Sequence, residues 1–333
     1  MRIALAGLGT VGAATVRVLR ANAGLLKARG QEIKLVAVSA RDKRKDRDCD
    51  LSGIKWVDDP LDLAYQDIDV VIDTISGARS LTLEIAESAL GNGKHFVTAS
   101  KALIAAHGVD LARTAEKAEL QLSFEAAVCG GVPVLKTLRE GMAANRISSV
   151  RGILNGTTNY ILTHMHEDGV DFETALAEAH RRGYAEADPA FDIDGIDAAH
   201  KLSILSAVAF GVVPDISDIS TEGIRSITRE DLRDAAARGG RIKLIGTAIR
   251  KGTRVIQRVQ PAFVPLEEPL SRVGGVLNGV EISGDVSGAI FLQGLGAGGD
   301  ATASAIVADL VDIARGHRSF AFGVPADSLI TNN

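Results

Sequence analysis

The chain has 333 residues, 46% hydrophobic and 24% charged, with a formal net charge of −5; this bounds it to two domains or one large one around a sizeable core. Mild acidity, 4% aromatics and no basic patch with interleaved aromatics exclude nucleic acid as a partner. No run of about 18 apolar residues occurs, so no membrane span is expected, and the apolar N-terminus meets glycines too soon for a signal sequence.

Residues 2–6 predict a short apolar strand, and Gly7-Leu8-Gly9-Thr10-Val11-Gly12 follows at once. Ala13, Val16, Val18, Leu19 and Leu25 then read as a helix. Strand, GxGxxG and helix form a dinucleotide-binding fingerprint. Gly7, Gly9 and Gly12 permit the tight turn and let backbone approach a pyrophosphate at the helix N-terminus. A glycine turn that serves packing alone is the blander alternative. Residues 33–39 predict the second strand. Its end, where an acid would read the ribose of NAD, runs Val38-Ser39-Ala40-Arg41-Asp42-Lys43-Arg44-Lys45. Arg41 and the basic run suit a 2′-phosphate, so NADP is expected over NAD; a solvated charged loop is the blander alternative, which Asp42 keeps open. Cys49 and Cys129 stand far apart with no CxxC spacing, which suggests neither zinc nor a disulfide and fits a reducing cytoplasm.

Residues 69–73 predict a strand ending in Thr74-Ile75-Ser76-Gly77, with a helix over 80–90. Residues 95–99 predict the next strand, which leads into Ser100-Lys101, and residues 120–124 a further one, followed by Glu125 to Pro133. Ligands of open α/β sheets bind beyond the carboxyl ends of the strands, which makes Lys101 a candidate site residue. A cation at a helix N-terminus opposes the dipole, so a purely structural lysine is disfavoured there.

From residue 147 the character changes. Residues 150–154 predict a strand, residues 155–160 a turn entering a helix through Met165, and residues 172–182 another helix. Residues 241–250 and 254–264 predict a hairpin joined at Lys251-Gly252-Thr253, and residues 280–283 and 289–293 add strands. The second half is therefore helices plus a mixed or antiparallel sheet. Gly294-Leu295-Gly296-Ala297-Gly298-Gly299-Asp300 opens a last helix over 301–315; such a loop either faces a cofactor or is only a turn.

Chemistry concentrates in residues 183–202, where Glu186, Asp188, Asp192, Asp194 and Asp197 precede Lys201. Pro189 and Gly195 break the first part into a loop. From Asp197 the pattern turns helical, with Leu202, Leu205, Val208 and Ala209 as an apolar stripe. Asp197 and Lys201 are four apart and share a helix face, roughly 6 Å apart at Cβ. One reading is a surface ion pair behind acids that favour the helix dipole. Another is a site in which acids hold a substrate cation and a lysine gives a proton. A third makes Asp192, Asp194 and Asp197 ligands of a divalent metal, for which the spacing lacks a full loop.

These segments together resemble homoserine dehydrogenase: GLGTVG at 7–12, TASK at 98–101, EAAVCGGVP at 125–133, NGTTNYIL at 155–162, GYAEADPAFDIDGIDAAHK at 183–201 and GLGAGGDATASAIVADL at 294–310. The ordered set spans nearly the whole chain. The resemblance implies an α/β protein: a Rossmann-type NAD(P)-binding domain over 1–133, an α+β catalytic and dimerisation domain over 134–300, and a C-terminal helix in 301–333 returning to the first domain. It implies NAD(P)-dependent interconversion of L-homoserine and L-aspartate 4-semialdehyde, in the biosynthesis of threonine, methionine and isoleucine, by a homodimer with a small-molecule substrate. By position it puts Glu186 and Asp197 near the substrate's amino and hydroxyl ends, Lys201 as proton donor, and Lys101 beside substrate and nicotinamide. Gly9, Thr10, Val11, Thr74, Ser76 and Gly298 would touch the cofactor. Glu125, Val128, Gly130 and Val132 match a loop that in some members holds a monovalent cation such as sodium, mainly through backbone oxygens.

Two positions depart from the family pattern. Ser100 stands where asparagine is usual, and Cys129 where glycine is usual. Ser100 keeps a hydrogen-bonding group, yet the departures prompt a rival: a dehydrogenase of a related hydroxy amino acid. A nucleotide-sensing module without catalysis is a further rival, opposed by the joint presence of Lys101, Glu186, Asp197 and Lys201. Many members carry an added C-terminal regulatory domain; with the chain ending shortly after its last helix, the short form is expected.

Overall fold

A computed structural model describes residues 1–77 and 79–332, the Arg79 side chain excepted. The chain forms two compact units, Met1–Pro133 with Ala297–Leu329, and Val134–Gly296 with the residues from Ile330 onward. The second crossing thus falls at 296/297, a few residues before the expected 300/301, because the last helix already begins at Gly299.

The first unit runs β1 (Arg2–Ala6), α1 (Thr10–Ala21), α2 (Ala23–Ala28), β2 (Lys34–Ser39), β3 (Lys55–Trp56), β4 (Val70–Asp73), α3 (Arg79–Gly91), β5 (His95–Thr98), α4 (Lys101–Lys117) and β6 (Leu122–Ser123). All six strands are parallel, in the order β3-β2-β1-β4-β5-β6. Ile3-Ala4-Leu5-Ala6 and Val70-Val71-Ile72 are fully buried, as a parallel strand covered on both faces requires. The strand order reverses at β1, which pairs with β2 on one side and β4 on the other. The loops after β1 and β4 therefore open a crevice at the carboxyl ends of the strands. Two-residue β3 is too short to show a period in the sequence.

The second unit begins with α5 (Val134–Lys136), which widens into a π-type turn (Thr137–Gly141). Then come β7 (Ile147–Ile153), α6 (Gly156–Asp168), α7 (Phe172–Arg181), α8 (Ala190–Ile193), α9 (Ile196–Phe210), β8 (Ile219–Thr221), α10 (Arg229–Ala237), β9 (Gly240–Lys251), β10 (Arg254–Pro265), β11 (Leu277–Gly284) and β12 (Gly288–Leu295). Its sheet has the order β12-β11-β7-β9-β10-β8; β8 lies parallel to β10 and every other pair is antiparallel. The expected apolar stripe of α9 needs correction. Leu202 and Leu205 are core, but Val208 and Ala209 are only half-buried, while Ser203, Ile204, Ser206 and Ala207 are buried too. Helix α9 is enclosed on nearly all sides rather than amphipathic. Helix α10 is polar and was not expected; a capping box between Thr228 and Asp231 starts it.

The last helix, α11 (Gly299–Ala314), belongs to the first unit and packs along α1. Ile306 and Leu310 join Leu5, Val16, Leu19 and Ile72 in one core. A Cβ on Gly299 would sit 3.0 Å from the Thr10 carbonyl oxygen and 3.1 Å from the Ala14 methyl, so glycine lets the N-termini of α11 and α1 approach this closely without either shifting.

Candidate active site

The crevice in the first unit is a cavity of about 750 Å³ bordered by Gly7, Gly9, Arg41, Thr74 and Ser76. Its glycines answer to geometry. Gly7 has φ +92, which disfavours any other residue. A Cβ on Gly12 would lie 2.1 Å from the Gly7 carbonyl oxygen and 2.8 Å from Thr74 Oγ1. Gly9 faces open space, so a ligand can come against its backbone. Thr74 ties the two loops together, donating from Oγ1 to the Gly7 carbonyl at 2.9 Å and to Ala6 at 3.1 Å. Thr10 and Val11 form the first turn of α1, and Gly298, at φ +111, precedes α11. Two helix N-termini thus meet near the glycine turn, which favours a bound anion. The residues present fit a dinucleotide: an open glycine, a cavity of sufficient size and positive helix ends. Arg41 stands exposed on the rim.

Lys101 is the first residue of α4 and half-buried. Ser100 caps that helix, its Oγ accepting from Leu103 N at 3.3 Å. The Ser100 hydroxyl is therefore engaged in a capping role that asparagine could also fill. Behind it, fully buried Asp73 accepts from Ile75 N at 2.9 Å and from Thr98 Oγ1 at 2.8 Å, and Thr98 Oγ1 accepts from Ser100 N at 2.9 Å. Burial raises the Asp73 carboxyl to about 6, against those hydrogen bonds. Asp73 and Thr98 were not singled out in the sequence.

Glu125, Val128, Gly130 and Val132 lie together in a buried loop of the same unit. Cys129 at φ +56 and Gly130 at φ +41 turn the backbone back on itself. Val132 N donates to the Cys129 carbonyl at 2.8 Å, and Glu125 N donates to buried Asp309 at 3.0 Å. At Cys129 the left-handed backbone is one that glycine adopts without steric cost.

The acidic stretch lies in the second unit. Lys201 Nζ donates to Asp197 Oδ2 at 2.7 Å and to the Leu154 carbonyl at 2.8 Å. Asp197 and Lys201 are 4% and 9% exposed. The reading of this pair as a surface ion pair is overturned: α9 is enclosed, so the shared face points inward. Asn155 completes the cluster. Its amide donates to Asp192 Oδ1 at 2.9 Å and to Asp197 Oδ2 at 2.8 Å, while its Oδ1 caps α6 by accepting from Thr158 N at 2.8 Å. Thr157 Oγ1 donates to Asp192 Oδ2 at 3.0 Å. Burial and the Asp197 charge raise the Asp192 carboxyl, opposed by these two hydrogen bonds. Asp194 does not join; it turns to Arg225 at 2.5 Å. That separation removes one of the three ligands a divalent site on Asp192, Asp194 and Asp197 would need. Glu186 lies exposed on the loop between α7 and α8. Asn155 had been read only as part of a turn; an asparagine three residues before Thr158 at a helix start was the available signal.

Family comparison settles the class. The family described as “Homoserine dehydrogenase” matches residues 133–311, and “Homoserine dehydrogenase, NAD binding domain” matches residues 7–125. The chain belongs to the homoserine dehydrogenase family. The homoserine dehydrogenase of Pseudomonas aeruginosa is 45% identical over 317 residues, covering 95% of this chain and 72% of that one. That of Helicobacter pylori is 40% identical over 326 residues, 97% of this chain and 76% of that one. A solved homoserine dehydrogenase from Thiobacillus denitrificans superposes with a TM-score of 0.94 at 42% identity, covering 100% of this chain and 79% of that one. A hyperthermophilic archaeal homoserine dehydrogenase in complex with NADPH superposes at 0.81 with 28% identity, covering 96% and 99%. As a member, the chain is an oxidoreductase acting on a CH–OH group, with a nucleotide-binding domain, in amino-acid biosynthesis. No helix among the described residues is long and apolar enough to cross a membrane.

Proposed function

We propose that the chain is an NADP-dependent homoserine dehydrogenase in which Lys201 is the proton donor. The observation that carries this is the buried Asp197–Lys201 pair, 2.7 Å long, with the ammonium held a second time by the Leu154 carbonyl. A nicotinamide cofactor, when bound, supplies the hydride to the aldehyde carbon or accepts it from homoserine. The Lys201 ammonium then stabilises the charge developing on the carbonyl oxygen and passes it a proton from Nζ. Asp197 orients that ammonium, and Asp197 with Glu186 offers carboxylate to the substrate's α-ammonium. Lys101, at the carboxyl end of β5, is proposed to serve the nicotinamide end. Gly7, Gly9, Thr10, Val11, Gly12, Thr74, Ser76 and Gly298 would receive the dinucleotide, with Arg41 at the 2′-phosphate. Support for NADP is the absence of an acid at the end of β2, the basic rim, and the NADPH-bound relative.

Glu125, Val128, Gly130 and Val132 are proposed to hold a monovalent cation such as sodium on main-chain oxygens; the double left-handed turn there favours the reading. A homodimer is proposed because β12 is an edge strand flanked by exposed Val286 and Leu295, and such edges seek cover. Two free cysteines support a cytoplasmic setting.

The deciding experiment is a nicotinamide-absorbance assay with aspartate 4-semialdehyde and with related hydroxy amino acids, using NADPH and NADH in parallel. A higher kcat/KM with NADPH, reversed or erased in Arg41→Asp, is expected. A preference for NADH would refute the cofactor reading, and a better hydroxy amino acid than homoserine would favour the rival substrate class.

A further inference from the structure

Residues 40–54 join β2 to β3 without regular structure and bring Arg41, Asp42, Lys45 and Arg47 to the wall of the dinucleotide cavity. Arg41 to Asp46 are exposed and mostly basic, and the one hydrogen bond within the segment is Asp42 Oδ1 accepting from Arg44 N at 2.8 Å, among the described residues. Arg47 is half-buried. Its guanidinium donates from Nε to the Leu8 carbonyl at 3.2 Å, from Nη1 to Lys45 at 2.8 Å and from Nη2 to Asp42 at 2.5 Å. The same group lies 5.6 Å from the centre of the Trp56 ring on β3. Leu8 belongs to the glycine turn. The far end of the segment is tied separately to α1, through Arg17 to the Asp48 carbonyl at 2.9 Å and Arg20 to the Ser52 carbonyl at 2.7 Å. A planar fork engaged with three carbonyls serves geometry more than ligand charge.

We propose that Arg47 is a positioning residue for the dinucleotide. It joins the rim facing the adenosine ribose to the turn facing the pyrophosphate, so the ADP half meets a prearranged backbone. Preorganisation of this kind strengthens binding without a new contact. The inference rests on the dinucleotide reading of the cavity, and not on the choice between NADP and NAD.

Calorimetric titration of Arg47→Met and Arg47→Lys with NADPH, NADH and ADP tests it, alongside homoserine kinetics and Arg41→Met. Arg47→Met should weaken all three ligands by a common factor of about tenfold. Its kcat at saturating cofactor and its KM for homoserine should stay within about twofold, a split that general destabilisation does not produce. Lysine has one head for three carbonyls and should restore only part of the affinity. Arg41→Met should weaken NADPH alone; if it does not, the NADP reading falls while the Arg47 result still stands. A loss confined to NADPH would make Arg47 a phosphate ligand and overturn the proposal, as would unchanged affinity for all three. Should Arg47→Met fail to fold, Arg47→Lys decides: a common loss supports the clamp, and wild-type affinity overturns it.

Discussion

The two candidate sites are made of opposite materials. The dinucleotide cavity has a floor of main chain, with glycines that admit a tight turn, helix ends and a threonine that ties two loops, and a rim of charged side chains. The acid–lysine cluster is mostly side chain: Asn155, Asp197 and Lys201 are buried, Thr157 and Asp192 half-buried, and Leu154 adds a main-chain carbonyl. The glycine turn should fail at positions such as Gly12, where a Cβ would meet the Gly7 carbonyl at 2.1 Å, while side chains enter at the basic rim. A buried side-chain site should fail at nearly any change.

Lys201→Met carries the largest expected effect. Removing the donor should lower kcat by about 10²-fold or more. Because the pair is buried, the variant also leaves Asp197 without its cation, at a cost of roughly 3 kcal/mol. Adding Asp197→Asn should recover much of that stability and none of the rate. NADPH affinity measured by titration should stay near wild type. A folded Lys201→Met enzyme at near wild-type kcat would transfer the donor role to Lys101 or to water.

Lys243 sharpens the contrast within the second unit. It is 2% exposed, and among the described residues its Nζ meets neutral oxygens: Asn159 at 3.0 Å, Thr163 at 3.4 Å and the Val273 carbonyl at 2.7 Å. Burial lowers its pKa from 10.5 to about 8. Between these values the unfolded chain holds a proton that the folded chain has released, so stability rises with pH. The gain from this group across that window should reach up to about 3 kcal/mol. Denaturant unfolding of wild type against Lys243→Met at several pH values would show whether the rise disappears with the lysine.

Asn155 tests whether the cluster depends on its neutral member. Asn155→Ala removes a helix cap and the amide shared by Asp192 and Asp197, and should cost about 1–2 kcal/mol of stability. KM for homoserine should rise with cofactor affinity unchanged. Asn155→Asp keeps the cap and adds a third carboxylate, so it should spare stability at the helix start yet damage KM more.

These residues also mark where the sequence was informative. GLGTVG, the buried runs of β1 and β4 and the hairpin of β9 and β10 were legible because each is local: a turn needs glycines at fixed offsets, and a strand needs its period. Asp197 and Lys201 were legible as a pair through their spacing, but spacing alone does not tell an inward face from an outward one when a helix is enclosed all round. Asn155 and Lys243 act through partners about 40 and 84 residues away in the chain, a separation no local pattern reports. Polar α10 was missed although Thr228 and Asp231 spell a cap, since its buried face is only Leu232 and Ala235.

The smallest expected effect concerns Cys129, the departure that raised doubt about substrate. Its φ of +56 costs a non-glycine residue about 1 kcal/mol or somewhat more. Glycine relieves that strain but loses a buried thiol and adds backbone freedom to the unfolded chain, worth about 0.5–1 kcal/mol. The two nearly offset, so Cys129→Gly should melt close to wild type, shifted by less than about 1 kcal/mol. A β-branched residue tolerates the left-handed region worse, and Cys129→Val should lose clearly more. If the thiol sets substrate choice, Cys129→Gly would change the ratio of kcat/KM for homoserine to that for other hydroxy amino acids. The side chain is 1% exposed and its position answers to backbone conformation, so that ratio should hold. A shift of tenfold or so in the ratio, at unchanged stability, would give Cys129 a role at the substrate that its place in the turn does not require.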